Sequence, residues 1–340
     1  MREIKVAMLG FGGIAKAHKK GYEVFEKDGT PIKLVAICDI NPEQFEGGTK
    51  TNIDSGKKSN LEGINLYTNV DEMLAKEDFE MIDICLPSYL HKEYTVKMLK
   101  AGKHVMCEKP MALNSADCQV MIDTAKECGK QLMVGQCLRF EPLYLFLKDA
   151  IDSGKFGKVK NVFMDRLSLL PTWGFENWFC DTEKSGGCAM DLHIHDVDMM
   201  RFLFGEPEAV SAVGYDDTTR WQVMNSRFFY PNNLTPCAIG SWDESNTTKF
   251  RMGYRVRFEK ASIILDGSKI TVNPDDGESY EVTLEKKDRM AEEIRLIASC
   301  IADENVKNTS NPPESALMSV KLVEALCKSA DMAGEKIKFN

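Results

Sequence analysis

One hexapeptide, Gly10-Phe11-Gly12-Gly13-Ile14-Ala15, constrains this chain more than any other feature in it. It stands between an unbroken apolar run, Ile4 to Leu9, and a segment, Ile14 to Glu26, whose apolar residues recur at the helical period. A glycine-rich turn that leaves a buried strand and opens a helix is the first corner of a βαβ unit. Further short apolar runs follow at Ile32 to Cys38, Ile64 to Tyr67, Met81 to Cys85, His104 to Cys107 and Gln131 to Val134, with helix candidates at Leu90 to Ala101 and Ser115 to Glu127. Such alternation predicts an α/β fold: a doubly wound parallel sheet covered on both faces. Residues 41–63 carry little apolar pattern and read as an irregular excursion.

The texture changes near Arg139. Strand-like runs now succeed one another, at Val159 to Leu169, Ala209 to Tyr215, Trp221 to Tyr230, Pro236 to Trp242, Tyr254 to Phe258, Ser262 to Leu265, Lys269 to Val272 and Tyr280 to Leu284. Consecutive strands with short connections favour antiparallel pairing. Helix candidates are Gly187 to Phe204, Asp288 to Asp303 and Glu314 to Met332, and the last two can pack across the boundary. A length of 340 residues suits two domains. We expect residues 1–138 to form the doubly wound domain and 139–340 an α+β domain with a mostly antiparallel open sheet.

The glycine turn carries a chemistry. Gly10 permits a tight turn, Gly12 lets the backbone approach a pyrophosphate, and Ala15 allows close packing of helix on strand, while the helix that opens through Gly13 and Ile14 turns its N-terminus to the anion. The second strand ends in Asp39, where a carboxylate can accept bonds from both ribose hydroxyls. The same carboxylate repels a 2′-phosphate, and Ile40 and Asn41 supply no cation to attract one, so NAD is favoured over NADP. Asp39 as a plain strand-end turn residue is the structural alternative.

Ligands of an open parallel sheet gather beyond the carboxyl ends of its strands. Leu86-Pro87-Ser88 with His91 follows the fourth strand, and Glu108-Lys109-Pro110 the fifth. A cationic Lys109 beside a reacting hydroxyl would stabilise alkoxide, whereas a solvated Glu-Lys pair before a proline turn is the bland reading. Downstream, Gly186-Gly187-Cys188 precedes Asp191, His193, His195 and Asp198. On a regular helix Asp191, His195 and Asp198 share one face and His193 lies opposite. An imidazole held by a carboxylate can take a proton from an alcohol, although a His satisfied by helix neighbours is the commoner fate. Helical phase splits Cys188, Asp191, His193 and His195, and no paired Cys set or H-E-x-x-H occurs, so no metal is expected. Without a G-x-S-x-G elbow or Walker loop, hydrolase and kinase readings lose their usual handles.

Composition excludes other classes. A net charge of -9 leaves no broad footprint for nucleic acid or anionic lipid, and no apolar run reaches the length of a membrane span. Eleven cysteines, odd in number and without a C-x-x-C pair, fall mostly in apolar runs and read as reduced thiols. Together with a first stretch that reads as a buried strand rather than a signal peptide, this implies the cytoplasm.

Taken together, Gly10 to Ala15, Leu86-Pro87-Ser88 to His91, Gly102-Lys103-His104-Val105 running into Glu108-Lys109-Pro110, and Gly186-Gly187 followed by Asp191, His195 and Asp198 resemble the Gfo/Idh/MocA oxidoreductase family, which includes inositol and sugar dehydrogenases. The resemblance implies that Lys109 is the active-site lysine, Asp191 the substrate-orienting carboxylate and His195 the general base. It implies an NAD-dependent dehydrogenase acting on a secondary alcohol of a sugar, cyclitol or related polyol, with the second domain binding substrate and pairing subunits into homodimers or homotetramers. Cys188 and His193 depart from the family pattern and bear on the pocket. Arg139 either holds a substrate hydroxyl or braces the domains, and bracing is favoured. Trp173 and Trp178 either stack on a sugar face or serve as core aromatics. Two other readings remain: a redox-neutral sugar-modifying enzyme that retains NAD, and a non-catalytic dinucleotide sensor, which would not need Lys109 and His195 together.

Overall fold

Ile4–Leu9 forms β1, and every residue of it except Lys5 is buried. The computed structural model describes residues 2–47 and 58–339. Its chain divides into two units. One comprises the chain up to Phe140 together with Lys287–Leu317, the other Glu141–Lys286 together with the chain from Met318 onward.

In the first unit β1 is followed by α1 (Gly13–Asp28), β2 (Ile32–Cys38), β3 (Asn65–Tyr67), α2 (Val70–Lys76), β4 (Met81–Ile84), α3 (His91–Lys100), β5 (His104–Glu108), α4 (Ser115–Glu127) and β6 (Leu132–Gly135). The six strands are ordered β3-β2-β1-β4-β5-β6 and all pair parallel. Order reverses between β1 and β4, so the loops after these strands face the crevice where such sheets bind ligands. Helix ends follow local chemistry: the Asn69 and Asn114 side chains accept first-turn N–H groups of α2 and α4. The expected excursion holds a short 3₁₀ turn at Pro42–Glu46, capped by Asn41, while its residues 48–57 lie outside the described residues. Helix α2 was not expected: it is seven residues long and buries only Met73, too little apolar period to register.

A late segment completes this unit. After the second unit's sheet the chain returns as α8 (Arg289–Ala302) and packs on α1. The approach is close at Gly21, where a Cβ would stand 2.9 Å from the Ala291 nitrogen. Ile294, Ile297 and Ala298 join the core formed by β1, β2 and α1.

The second unit contains α5 (Pro142–Asp152), β7 (Val159–Leu167), α6 (Thr182–Ser185), a π-turn at Ala189–His193, α7 (Ile194–Phe204), β8 (Ala209–Tyr215), β9 (Val223–Phe229), β10 (Cys237–Ser241), β11 (Arg251–Phe258), β12 (Ala261–Asp266), β13 (Lys269–Pro274) and β14 (Tyr280–Val282). After α9 (Pro313–Asp331) it ends in β15 (Ile337–Lys338). Its nine strands run β14-β13-β12-β11-β7-β10-β9-β8-β15. Every pair is antiparallel except β7 with β10, which is parallel because the chain crosses back through α7, β8 and β9. The helix expected from Gly187 does start there: Gly187, with φ 65°, and Cys188 open it, and they run straight into the π-turn.

Candidate active site

The glycine turn is stitched to its neighbours by backbone. Gly10 N–H donates to Cys38 O at 2.8 Å, and Cys85 N–H to Leu9 O at 2.8 Å. Gly10 has φ 88°, and a Cβ there would stand 2.5 Å from Cys85 O, so only glycine fits. Gly12 differs. Its φ is -76°, and nothing lies within 4 Å of where its Cβ would be. It is the N-cap of α1, no side chain caps that end, and the first turn carries no acid. The N-terminus of this 16-residue helix is thus left without a capping side chain, beside open space at Gly12, the arrangement a pyrophosphate fits. Gly13 and Ile14 are half-buried, and Ala15 is fully buried against the sheet.

Asp39 closes the turn from the other side. Its Oδ2 accepts Phe11 N–H at 2.6 Å and its Oδ1 accepts Asn41 N–H at 2.8 Å. A carboxylate offers about four lone-pair sites, so acceptor capacity remains for ribose hydroxyls. Burial raises its pKa from the ordinary value, against the two backbone donors and Lys16.

At the end of β4, Leu86 and Pro87 are half-buried and Ser88 is buried. His91 is buried as well. Its Nδ1 lies 2.7 Å from Pro110 O and its Nε2 2.8 Å from Leu86 O, so the ring ties the loop after β4 to the loop after β5. Burial lowers its pKa, against the two carbonyls. Lys109, half-buried, donates its backbone N–H to Glu108 Oε2 at 3.0 Å and precedes Pro110 through a cis peptide bond. The Glu108 side chain turns inward and is 4% exposed. Its Oε1 meets His18 Nε2 at 2.8 Å, and His18 Nδ1 meets Asp83 Oδ2 at 2.9 Å.

His18, Asp83 and Glu293 are residues the sequence reading passed over. Each left a trace: His18 falls in the Ala15, Tyr22, Phe25 stripe of α1, Asp83 interrupts the apolar run of β4, and Glu293 sits beside Met290, Ile294 and Ile297 on the inner face of α8. A charged residue in an apolar stripe signals a buried partner.

In the second unit, Asp191, Leu192 and His195 reach the surface, whereas His193, Asp196 and Asp198 are buried. Asp191 lies inside the π-turn, whose i→i+5 bonding shifts its phase relative to His195, whereas His195 and Asp198 stand three apart on the regular turns of α7. Asp198 is the buried member of the three, its Oδ1 accepting the Ser319 hydroxyl at 2.6 Å. His193 lies 2.7 Å from Ser226 Oγ through Nε2, and burial drives its pKa down to about 3, Arg166 adding to the effect. Asp196 accepts from Arg166 Nε at 2.9 Å and Nη2 at 3.0 Å, and the same guanidinium reaches the Tyr144 hydroxyl. Cys188 is fully buried, its thiol pushed well above the usual range by burial and then by Asp191. Among the described residues, Cys188, Asp191, His193 and His195 form no ligand cluster.

The remaining candidates have plain neighbours. Arg139, 5% exposed, donates to Ser310 O at 2.8 Å and Ser315 Oγ at 2.7 Å, both within the first unit. Trp178 stacks on Phe179 with ring centroids 3.9 Å apart, and Trp173 meets the same ring edge-on at 6.4 Å. Both indoles stay half-buried.

A reversed strand order with a glycine turn and an uncapped helix N-terminus at the switch defines a dinucleotide-binding α/β protein. The family model described as the oxidoreductase family with an NAD-binding Rossmann fold matches residues 4–136, and that of the GFO/IDH/MocA C-terminal domain matches residues 144–264. The chain belongs to the Gfo/Idh/MocA oxidoreductase family, and its first domain is that family's NAD-binding domain. It is 30% identical to the inositol 2-dehydrogenase of Rhizobium meliloti (strain 1021) over 211 residues, 62% of this chain and 58% of that one. It is 31% identical to the glucose-6-phosphate 3-dehydrogenase of Bacillus subtilis (strain 168) over 204 residues, 59% of this chain and 53% of that one. The matched stretch thus spans about half the length of these curated relatives. Levoglucosan dehydrogenase, solved with NADH and levoglucosan, shares the fold at a TM-score of 0.83 and 18% identity, with 99% of each chain covered.

Proposed function

We propose that this protein is an NAD-dependent dehydrogenase that oxidises a secondary alcohol of a sugar, cyclitol or related polyol. The observation that carries the reading is the open, uncapped N-terminus of α1 at the sheet's switch point, in a chain that also holds Lys109 and the Asp191/His195 pair. Bound nicotinamide supplies the hydride acceptor. The chain's own residues do the rest. Gly12 and Gly13 present N–H groups to the pyrophosphate, and Asp39 takes the ribose hydroxyls. His195 removes the hydroxyl proton of the substrate, Lys109 stabilises the charge that develops on that oxygen, and Asp191 orients substrate and base. The relatives named for inositol and glucose 6-phosphate support a polyhydroxylated substrate.

Two further readings belong here. Eleven free thiols, seven of them buried, fit a reducing compartment, the cytoplasm. Among the described residues no helix is long and apolar enough to cross a membrane. The nine-stranded sheet exposes Phe163, Val213 and Tyr215 beside Arg227 and Arg255, and this face is where a second copy of the chain would pair into a homodimer or homotetramer. Sedimentation should give a dimer or larger, and a sharp monomer boundary would contradict the pairing. The catalytic reading is tested with His195→Ala: turnover should fall roughly a hundredfold or more while NADH binding persists. Unchanged turnover would end the assignment of the base.

A further inference from the structure

Behind Lys109 lies a buried ionisable cluster that hydride transfer does not itself require. His18 projects from α1 between two strand ends, its Nδ1 2.9 Å from Asp83 Oδ2 on β4 and its Nε2 2.8 Å from Glu108 Oε1 on β5. The Tyr22 hydroxyl donates to Asp83 Oδ2 at 3.0 Å, and Glu293 Oε1 stands 4.0 Å from His18 Nε2. His18, Asp83 and Glu293 are fully buried, and both Glu293 oxygens lack a hydrogen-bond partner. The other oxygen of Glu108 accepts the backbone N–H of Lys109 at 3.0 Å. One imidazole therefore joins the helix whose N-terminus faces the pyrophosphate to the strand end that carries the lysine.

We propose that His18, clamped between Asp83 and Glu108, is a positioning residue for Lys109: it fixes the Glu108 carboxylate, and that carboxylate fixes the backbone from which the lysine side chain departs. The inference rests on the assignment of Lys109 to catalysis above. An imidazolium donating from both nitrogens satisfies both carboxylates at once, and charge-assisted bonds of this kind are the strong ones. The electrostatics agree. Burial opposes charge on His18, yet Asp83 and its neighbours raise its pKa well above the ordinary value. Burial opposes charge on Glu108 too, yet the bond to His18 lowers it. Glu293 goes the other way: burial raises its pKa well above the ordinary value, the Glu108 and Asp83 carboxylates adding to the effect against His18. On the β6 side the Glu108 carboxylate lies close against Gly135, where a Cβ would stand 2.9 Å from Glu108 Oε1.

The test is a double-mutant cycle on the full chain, with His18→Gln, Lys109→Met and the pair, reading kcat, KM for a polyol that the wild type oxidises, and NADH affinity. His18→Gln alone should lower kcat by about tenfold or more while KM and NADH affinity move less than about threefold. In the Lys109→Met background the same change should alter the residual rate by less than about twofold, because what it positions is gone. An equal loss in both backgrounds, or no loss in the first, overturns the proposal and leaves the lysine's own role standing. Full turnover in Lys109→Met alone instead overturns the catalytic reading of the lysine, and the positioning role with it. Should His18→Gln fail to fold, Gly135→Ala, which displaces the Glu108 carboxylate from outside the cluster, decides in the same cycle by the same two outcomes. His18 Nε2, Glu108 Oε1 and Glu293 Oε1 also lie close enough to hold an ion. A stoichiometric divalent metal in the purified protein, lost on His18→Gln, would replace the hydrogen-bonded clamp with a metal site and overturn the proposal.

Discussion

Gly10 and Gly12 sit two positions apart and answer to different demands. Gly10 has φ 88° with Cys85 O against its open side, whereas Gly12 has an ordinary φ and empty space above it. Gly10→Ala should cost at least about 2 kcal/mol, from backbone strain and the clash with β4, and lower the melting temperature. Gly12→Ala should stay within about 1 kcal/mol of wild type yet weaken NADH about tenfold or more, since a methyl then occupies the anion's approach. Calorimetric melts and NADH titration of the two variants check both expectations. A large stability loss at Gly12 would mean that its openness serves the fold. At this scale the glycine turn, Asp39, Lys109 and the Asp-His pair could be nominated as candidates from the sequence because each belongs to a local pattern. The clamp behind Lys109 could not, because His18, Asp83, Glu108 and Glu293 come from four separate elements. Glu108 shows itself through the motif it shares with Lys109, but His18, Asp83 and Glu293 are locally visible only as polar residues in apolar stripes, and tertiary packing alone decides which of them meet.

Among elements, the continuous apolar strands of the first sheet were readable because burial on both faces removes any alternation to misjudge. The π-turn at Ala189–His193 was not, since a sequence period does not distinguish i→i+4 from i→i+5 bonding, and the phase shift falls between Asp191 and His195. What holds α7 in place is the buried pair of Asp196 with Arg166 of β7, and Arg166 also reaches Tyr144 of α5. Asp196→Ala leaves a buried guanidinium with no counter-charge and should cost about 3–5 kcal/mol. Thermal or urea unfolding of this variant checks it, and a change below about 1 kcal/mol would show that the pair is compensated by water or by Tyr144. Loss of turnover should accompany the destabilisation, because the helix that carries His195 begins at that anchor.

For the molecule as a whole, stability should depend on pH through the buried imidazole of His193. Its folded pKa is about 3, against about 6.5 for an unfolded His, so between those values the unfolded chain binds the extra proton. Stability therefore falls as pH drops below about 6.5, by about 2 kcal/mol for His193 between pH 6.5 and pH 5. Urea unfolding at the two pH values measures the slope, and His193→Asn should reduce it, leaving the part carried by His104, whose pKa burial lowers to about 4, and by His91. An unchanged slope in that variant would assign the dependence to other groups. A net charge of -9 and the lack of a long apolar run argued against a broad nucleic-acid or lipid footprint, but composition says nothing of which polyol such an enzyme would oxidise. The most direct test of the central claim mixes wild-type protein with NAD and a panel of inositols and sugars, and follows the absorbance of reduced nicotinamide. At least one polyol should yield reduced cofactor, roughly a hundredfold more slowly with His195→Ala. Binding of NADH with no reduction by any polyol, or equal rates in the two proteins, would contradict the account.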